Sequence, residues 1–229
     1  MALQHSPSIV TNGLVFCLDA GNPRSYPGTG TNWGDISGGK NATLINGPTY
    51  TSGLSGYMSF DGVDDYANVI PASATYDITN QFTIEFVCNP TNLQNTGFFN
   101  LDGPAQDRGI MCHWPWGDGN IYYDIYNTAG GFFRWYKTVS IVNTVALYQV
   151  ILDGSGNMIV KQNNIIMAPT STSTFTGTVS LGSSFTIGSF GPGTLPWQGN
   201  LYYFKIYNRA LTDAETTQNF NALRGRYGI

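Results

Sequence analysis

The run QFTIEFVCNP, residues 81–90, decides how the rest of the chain is read. Phe82, Ile84, Phe86 and Cys88 fall on one side of a period of two, with Thr83, Glu85 and Val87 on the other. That pattern is a strand with one strongly apolar face. Upstream, GLVFCLDA (13–20) reads as a strand buried on both faces, and GYMSFDG (56–62) and DDYANVI (64–70) as two short strands around a turn at Gly62. Downstream, GFFNL (97–101), GIMCHW (109–114), NIYYDIY (120–126), GFFRWYK (131–137), SSFTIGSF (183–190) and GNLYYFKIYN (199–208) are further strands between turn residues. In TVALYQVILDGSGNMIVKQNNIIM (144–167), DGSGN separates two apolar runs and predicts a hairpin. Residues 21–48 read as a long loop pinned by Trp33, Ile36, Leu44 and Ile45, and Pro169 to Thr178 as a surface stretch with little packing value. Trp33 and Trp197 read as packing residues at loop edges.

One helix is predicted, over TDAETTQNFNAL (212–223). Thr212 is its N-cap, and Glu215 three residues on completes a reciprocal capping box. Ala214, Phe220 and Leu223 form its expected packing face, and it should stop near Gly225. Many short strands and one late helix predict an all-β fold of two packed antiparallel sheets. No linker divides the chain, so a single domain over 1–229 is expected, with a core of about 10–224 and flexible N-terminal residues.

Only 10% of the 229 residues are charged, well below the roughly 25% of soluble domains, so Asn, Thr, Ser, Gln and Gly must solvate the surface. The net charge of −4 and the lack of any basic run argue against a nucleic-acid partner. The opening MALQHSPSIV has no basic start followed by an apolar stretch, so neither a signal peptide nor membrane insertion is expected. Cys17, Cys88 and Cys112 cannot all pair within one chain and read as buried free thiols, a Cys17–Cys88 disulfide being the alternative. No spacing suggests zinc.

GLVFCLDA, WGDISGGKNATLINGPTY (33–50) and GYMSFDGVDDYANV (56–69) together resemble the laminin G-like jelly roll of the concanavalin A-like lectin/glucanase superfamily. QFTIEFVCNP is similar to that family's "FTI…WV" strand, DGSGN sits where its "DG…NG" hairpin falls, and FTIGSF with GNLYYFKIYNRALTDAE (199–215) resembles its last strand and short helix. The resemblance implies a two-sheet antiparallel jelly-roll sandwich with one short C-terminal helix. The tail NFNALRGRYGI (219–229) resembles the ending of such domains in tailed-phage structural proteins. That likeness implies a non-enzymatic virion or decoration protein, assembled in the host cytoplasm. Its partners would be other virion proteins and cell-surface polysaccharide, with a homo-oligomer compatible. The alternative is a free-standing carbohydrate-binding module.

Four chemistries can be weighed at the side chains. Asp61, Asp64 and Asp65 either shape a turn, Asp61 accepting backbone N–H groups beside Gly62, or contribute to a calcium (Ca2+) site of the kind many relatives carry at varying positions. Asp19 is a more distant fourth ligand candidate. Glycoside hydrolysis needs two carboxyls flanking a bond. Glu85 and Glu215 are the only glutamates, and neither sits in the ExDxE pattern of the hydrolase branch. A Cys112–His113 dyad fails because neighbours on a strand face opposite ways. Finally, HWPWGDGN (113–120) places Trp114 and Trp116 either side of Pro115, with Asp118 and Asn120 following. Sugar rings stack on such indoles while short polar groups take their hydroxyls. Arg134 and Trp135, with Arg108, are further candidates. The competing reading is that these aromatics fill the space between sheets or an oligomer interface.

Overall fold

The computed structural model describes residues 7–69, 76–101, 109–182, 185–191 and 193–229. The strands in chain order are β1 (Leu14–Asp19), β2 (Asn32–Trp33), β3 (Ala42–Ile45), β4 (Thr49–Thr51), β5 (Tyr57–Asp61), β6 (Tyr66–Val69), β7 (Phe82–Pro90), β8 (Phe99–Leu101) and β9 (Ile110–His113). They continue with β10 (Asn120–Tyr126), β11 (Phe132–Thr138), β12 (Ala146–Leu152), β13 (Met158–Gln162), β14 (Ile165–Ile166), β15 (Ser171–Thr172), β16 (Phe185–Ile187) and β17 (Gln198–Tyr207), before helix α1 (Asp213–Tyr227).

Eight strands make the first sheet, in the order β14-β13-β12-β7-β17-β5-β4, with β1 sharing one edge of β17 with β5. Nine make the second, in the order β15-β11-β10-β9-β8-β16-β6-β3-β2. Every pairing is antiparallel. The result is an all-β jelly-roll sandwich with one C-terminal helix; the strand pattern predicts the two antiparallel sheets and the family likeness the jelly roll.

The alternation of β7 holds residue by residue. Phe82, Ile84, Phe86 and Cys88 enter the core between the sheets, while Val87 joins a separate apolar cluster on the outer face. Phe86 stacks on Phe204 of the neighbouring strand at 6.1 Å and meets Trp114 from the other layer edge-on at 5.6 Å. Each such fully buried ring contributes about 1.5–3 kcal/mol by leaving water. On β17 the register shifts between Leu201 and Tyr203. Leu201 and Phe204 therefore face the core while Tyr202 and Tyr203 both face outward, a bulge that strict alternation does not foresee.

FDGVDDY is not a hairpin, since β5 belongs to the first sheet and β6 to the second. The turn carries the chain across the sandwich. Gly62 has φ 77°, and a Cβ there would lie 2.7 Å from the Cβ of Gln198, so the corner needs glycine for both dihedral and space.

Several expectations are corrected. The segment 21–48 is not all loop, because β2 and β3 extend the second sheet through β6. Trp33 and Leu44 anchor it, but Ile36 is 42% exposed. The Pro169–Thr178 stretch hides Phe175, which packs on Phe133 at 4.9 Å. The helix runs through Gly225 to Tyr227 and ends at Gly228 in the left-handed region, because burial of Tyr227 rewards the extra turn. Its buried face is Thr216, Asn219, Leu223 and Tyr227, with Ala214 exposed. The capping box of Thr212 and Glu215 is present as read. Trp33 and Trp197 are fully buried. All three cysteines are buried and free. Cys17 lies in the outer cluster and Cys88 in the core, on opposite faces of the first sheet, so no disulfide joins them. Burial pushes the Cys17 thiol up to about 12.

Candidate functional site

Helix α1 lies on the outer face of the first sheet, over a buried polar hub. Glu85, 0% exposed, accepts hydrogen bonds from Gln149 Nε2 at 2.8 Å, Asn219 Nδ2 at 3.1 Å and the Tyr203 hydroxyl, with Lys205 Nζ at 3.5 Å. Lys161 joins the helix to the sheet through Asp213 and Thr216, both at 2.8 Å. Glu215 is held by Arg209 at 2.6 and 2.8 Å and by the Thr212 backbone. One glutamate is sealed from substrate and the other caps a helix, so neither is placed to hydrolyse a glycosidic bond.

The acidic corner has a definite geometry. Asp61 Oδ1 accepts from Val63 N at 2.8 Å and Asp64 N at 3.4 Å, and Asp65 Oδ2 accepts from Asp61 N at 3.1 Å. These bonds are the turn-shaping role read for Asp61. Each acid also offers an oxygen, and the three lie within 4.8 Å of one another, so the cluster can coordinate a divalent cation. Asp65 is buried and its carboxyl is raised by desolvation. Asp19 drops out as a ligand, since both its oxygens are held by Arg226 at 2.5 and 2.7 Å.

The sugar-binding candidates separate by strand phase. On β10, Ile121, Tyr123 and Ile125 point into the core, whereas Tyr122, Asp124 and Tyr126 point out. On β11, Trp135 points in and Arg134 and Tyr136 point out. Trp135 is 1% exposed and packs against Tyr123. Trp114 is 0% exposed, wedged against Phe86, Tyr123 and Tyr148. Neither indole has a free face for a sugar, which corrects the exposed Trp114/Trp116 pair and the grouping of Arg134 with Trp135. Arg108 lies outside the described residues.

Three of the remaining four candidates, Asp118, Asn120 and Arg134, meet at Tyr122, which the sequence did not single out. The Tyr122 hydroxyl donates to Asp118 Oδ2 at 2.5 Å and accepts from Asn120 Nδ2 at 3.1 Å. Asn120 Oδ1 accepts in turn from the Thr138 hydroxyl at 2.7 Å. The Arg134 guanidinium sits 4.7 Å over the Tyr122 ring and 5.0 Å over Phe132. Its Nε and Nη2 each reach Asp124 at 2.7 Å, with the Arg134 side chain 41% exposed and that of Asp124 only 1%. The Tyr136 ring lies 5.5 Å from that of Tyr122. Trp116, half-buried, meets His113 edge-on at 4.7 Å, and His113 stacks on Phe190. The loop bearing Phe190 covers the neighbouring part of the face, its carbonyl accepting from Asn100 Nδ2 at 2.7 Å. A groove of about 410 Å³ adjoins the network through Gly119 and Thr138, with Leu93, Pro115, Val139 and Val142 on its apolar walls.

Desolvation pulls the Asp118 carboxyl upward, but hydrogen bonds from Tyr122 and then Asn120 leave it below its ordinary value. It is therefore no general acid at neutral pH. Hydrogen bonding to Asp124 holds the Arg134 guanidinium up. The surface is an aromatic platform with polar margins.

Comparison with known proteins agrees on the architecture. The binding domain of Paraclostridial Mosquitocidal Protein 1 superposes with TM-score 0.70 at 15% identity, covering 93% of this chain and 52% of that one. The botulinum neurotoxin serotype D binding domain gives 0.68 at 12%, covering 92% and 51%. A Trypanosoma rangeli sialidase solved in complex with sialic acid gives 0.68 at 16%, covering 97% and 36%. The chain thus spans about half the length of the toxin binding domains, and at these identities the likeness is one of fold. No curated protein matches in sequence. The model of one family matches residues 61–216, from the acidic corner to the helix. The chain belongs to the concanavalin A-like lectin/glucanases superfamily.

Proposed function

We propose that this is a non-catalytic glycan-binding module whose surface is the open half of the second sheet, centred on Tyr122. The observation that carries the reading is the convergence of Asp118, Asn120 and Arg134 on one outward ring, beside a second ring at Tyr136, with Trp116 joined to the same margin through His113. Aromatic faces take the C–H face of a sugar, and pre-ordered polar groups take its hydroxyls. A shallow surface of this kind gives weak single-site affinity, which repeated copies raise by avidity. The fold relatives, toxin binding domains and a sialidase, support a lectin-like module more than the virion role suggested by the tail sequence. Among the described residues no helix is long and apolar enough to cross a membrane. Replacing Trp116 and Tyr136 by alanine should abolish binding to a glycan array and change stability by only about 0.5–1 kcal/mol. Retained binding in the folded double variant would move the site to the groove beside Gly119.

We further propose calcium as the cation for Asp61, Asp64 and Asp65, because an all-oxygen donor set on a turn suits that ion. Chelation should lower the melting temperature and calcium restore it, as for any ligand bound only by the folded state. An unchanged melt leaves the acids as turn formers alone.

A further inference from the structure

We infer that the Tyr122 surface selects uncharged saccharides and turns acidic ones away; the inference rests on the glycan-binding reading above. The charges around the ring decide it. Asp124 holds Arg134 through Nε and Nη2, so the one outward cation of the platform among the described residues is already matched. Asp118 is exposed and takes its hydrogen bonds from neutral groups, Tyr122 and Asn120. Among the described residues, two carboxylates against one guanidinium leave the platform with one uncompensated negative charge. Lys137, next along β11, reaches instead to the Ala168 carbonyl at 2.7 Å. His113 at the margin is 8% exposed, stacked on Phe190, with Nδ1 at 2.8 Å from the Thr96 carbonyl.

A carboxylate or sulfate laid on Tyr122 would approach the Asp118 oxygen that lies 2.5 Å from the ring hydroxyl. A like charge at roughly 4 Å weakens binding about fivefold even at the dielectric of water, and more at a partly desolvated surface. A sugar hydroxyl meets no such penalty. It can donate to Asp118 and accept from the solvent-facing N–H groups of Arg134, whose side chain is 41% exposed. The sialic acid in the sialidase complex therefore predicts nothing about this face, which shares the fold and carries its own charges.

The test uses the intact protein with matched pairs of oligosaccharides, each neutral chain set against the same chain bearing sialic acid, glucuronate or sulfate, at about 20 and 150 mM salt. Neutral chains should bind with little salt dependence. Their acidic partners should bind at least about fivefold more weakly, with the gap narrowing as salt rises. Asp118→Asn should narrow the gap at low salt. Equal or tighter binding of the acidic partners overturns the selectivity while leaving the binding site standing. A gap that ignores salt in the unaltered protein, or that persists in a folded Asp118→Asn variant, overturns its electrostatic origin. Binding of neither set removes the glycan reading and this inference with it.

Discussion

The outer faces of the two sheets carry the same trio of residue types and put it to different ends. On the first sheet the carboxylate of Glu85 meets Lys205 and Tyr203, with exposures of 0%, 1% and 1%. On the second, Asp124 meets Arg134, whose guanidinium lies over Tyr122, and that cation is 41% exposed at its side chain. In the first trio every group is spent on the protein: Gln149 and Asn219 complete the acceptor capacity of Glu85, and Asn219 comes from the helix itself. In the second, the acid occupies one edge of the guanidinium and leaves a ring and several N–H groups at the solvent. The difference is the cover. Under a helix the trio is a clamp; without one it stays open to solvent.

The largest effect should come from breaking the clamp. Glu85→Ala leaves Lys205 and Tyr203 buried without their shared acceptor, and loss of one partner of a buried pair costs about 3–5 kcal/mol. Asp124→Ala should cost only about 1 kcal/mol, because Arg134 can turn to water. Chemical denaturation of both variants measures the contrast. Equal losses would mean that the helix does not seal its face.

The two tryptophans flanking Pro115 sharpen the same contrast over two residues of chain. Trp114→Ala empties a site walled by Phe86, Tyr123 and Tyr148 and should cost about 3–5 kcal/mol. Trp116→Ala should cost about 1 kcal/mol or less and lose glycan binding instead. A Trp114→Ala variant of normal stability would show that the loop can turn over and present either indole.

How much of this was legible follows from which signals are local. The inward phase of β7, the DGSGN reversal and the Thr212–Glu215 box each depend on residues within one turn or strand, and each is present. Which of two aromatic neighbours faces out is harder, since period two gives alternation without its sign. NIYYDIY did contain the sign: Ile121 and Ile125 fix the inward set, leaving Asp124 with Tyr122 and Tyr126 outside. The same logic, applied to Cys112 and His113, separates Arg134 from Trp135. Other features were set by distant parts of the chain. The crossing at Gly62 needs the positions of β17 and β16, and the run of the helix past Gly225 needs Tyr202, against which Tyr227 packs at 5.6 Å. The bulge that turns Tyr202 and Tyr203 outward together likewise has no local spelling.

The smallest effect lies at the helix's first turn, where the cover begins, and it has a pH signature that the open face can be set against. Hydrogen bonds from Arg209 lead the causes that lower the Glu215 carboxyl from its ordinary 4.5 to about 2. A depressed folded value means that its contribution is fully present above pH 4.5 and is lost as the pH falls from there toward 2. Glu215→Gln keeps much of the shape and removes the charge, so it should cost about 1 kcal/mol at pH 7, in the range of a helix cap. The difference from the unaltered protein should close across that acid window. Asp118 is lowered as well, through Tyr122 and Asn120 against an opposing desolvation, so Asp118→Asn should show the same sign. Its effect should be smaller, because the exposed carboxylate is screened by water and among the described residues no cation pairs with it. Denaturation midpoints from pH 7 to pH 2 would compare the two. A Glu215→Gln deficit that stayed constant over that range would show that Arg209 and Glu215 are not paired in solution. An Asp118→Asn deficit equal to it would show that the platform, too, is part of what holds the fold.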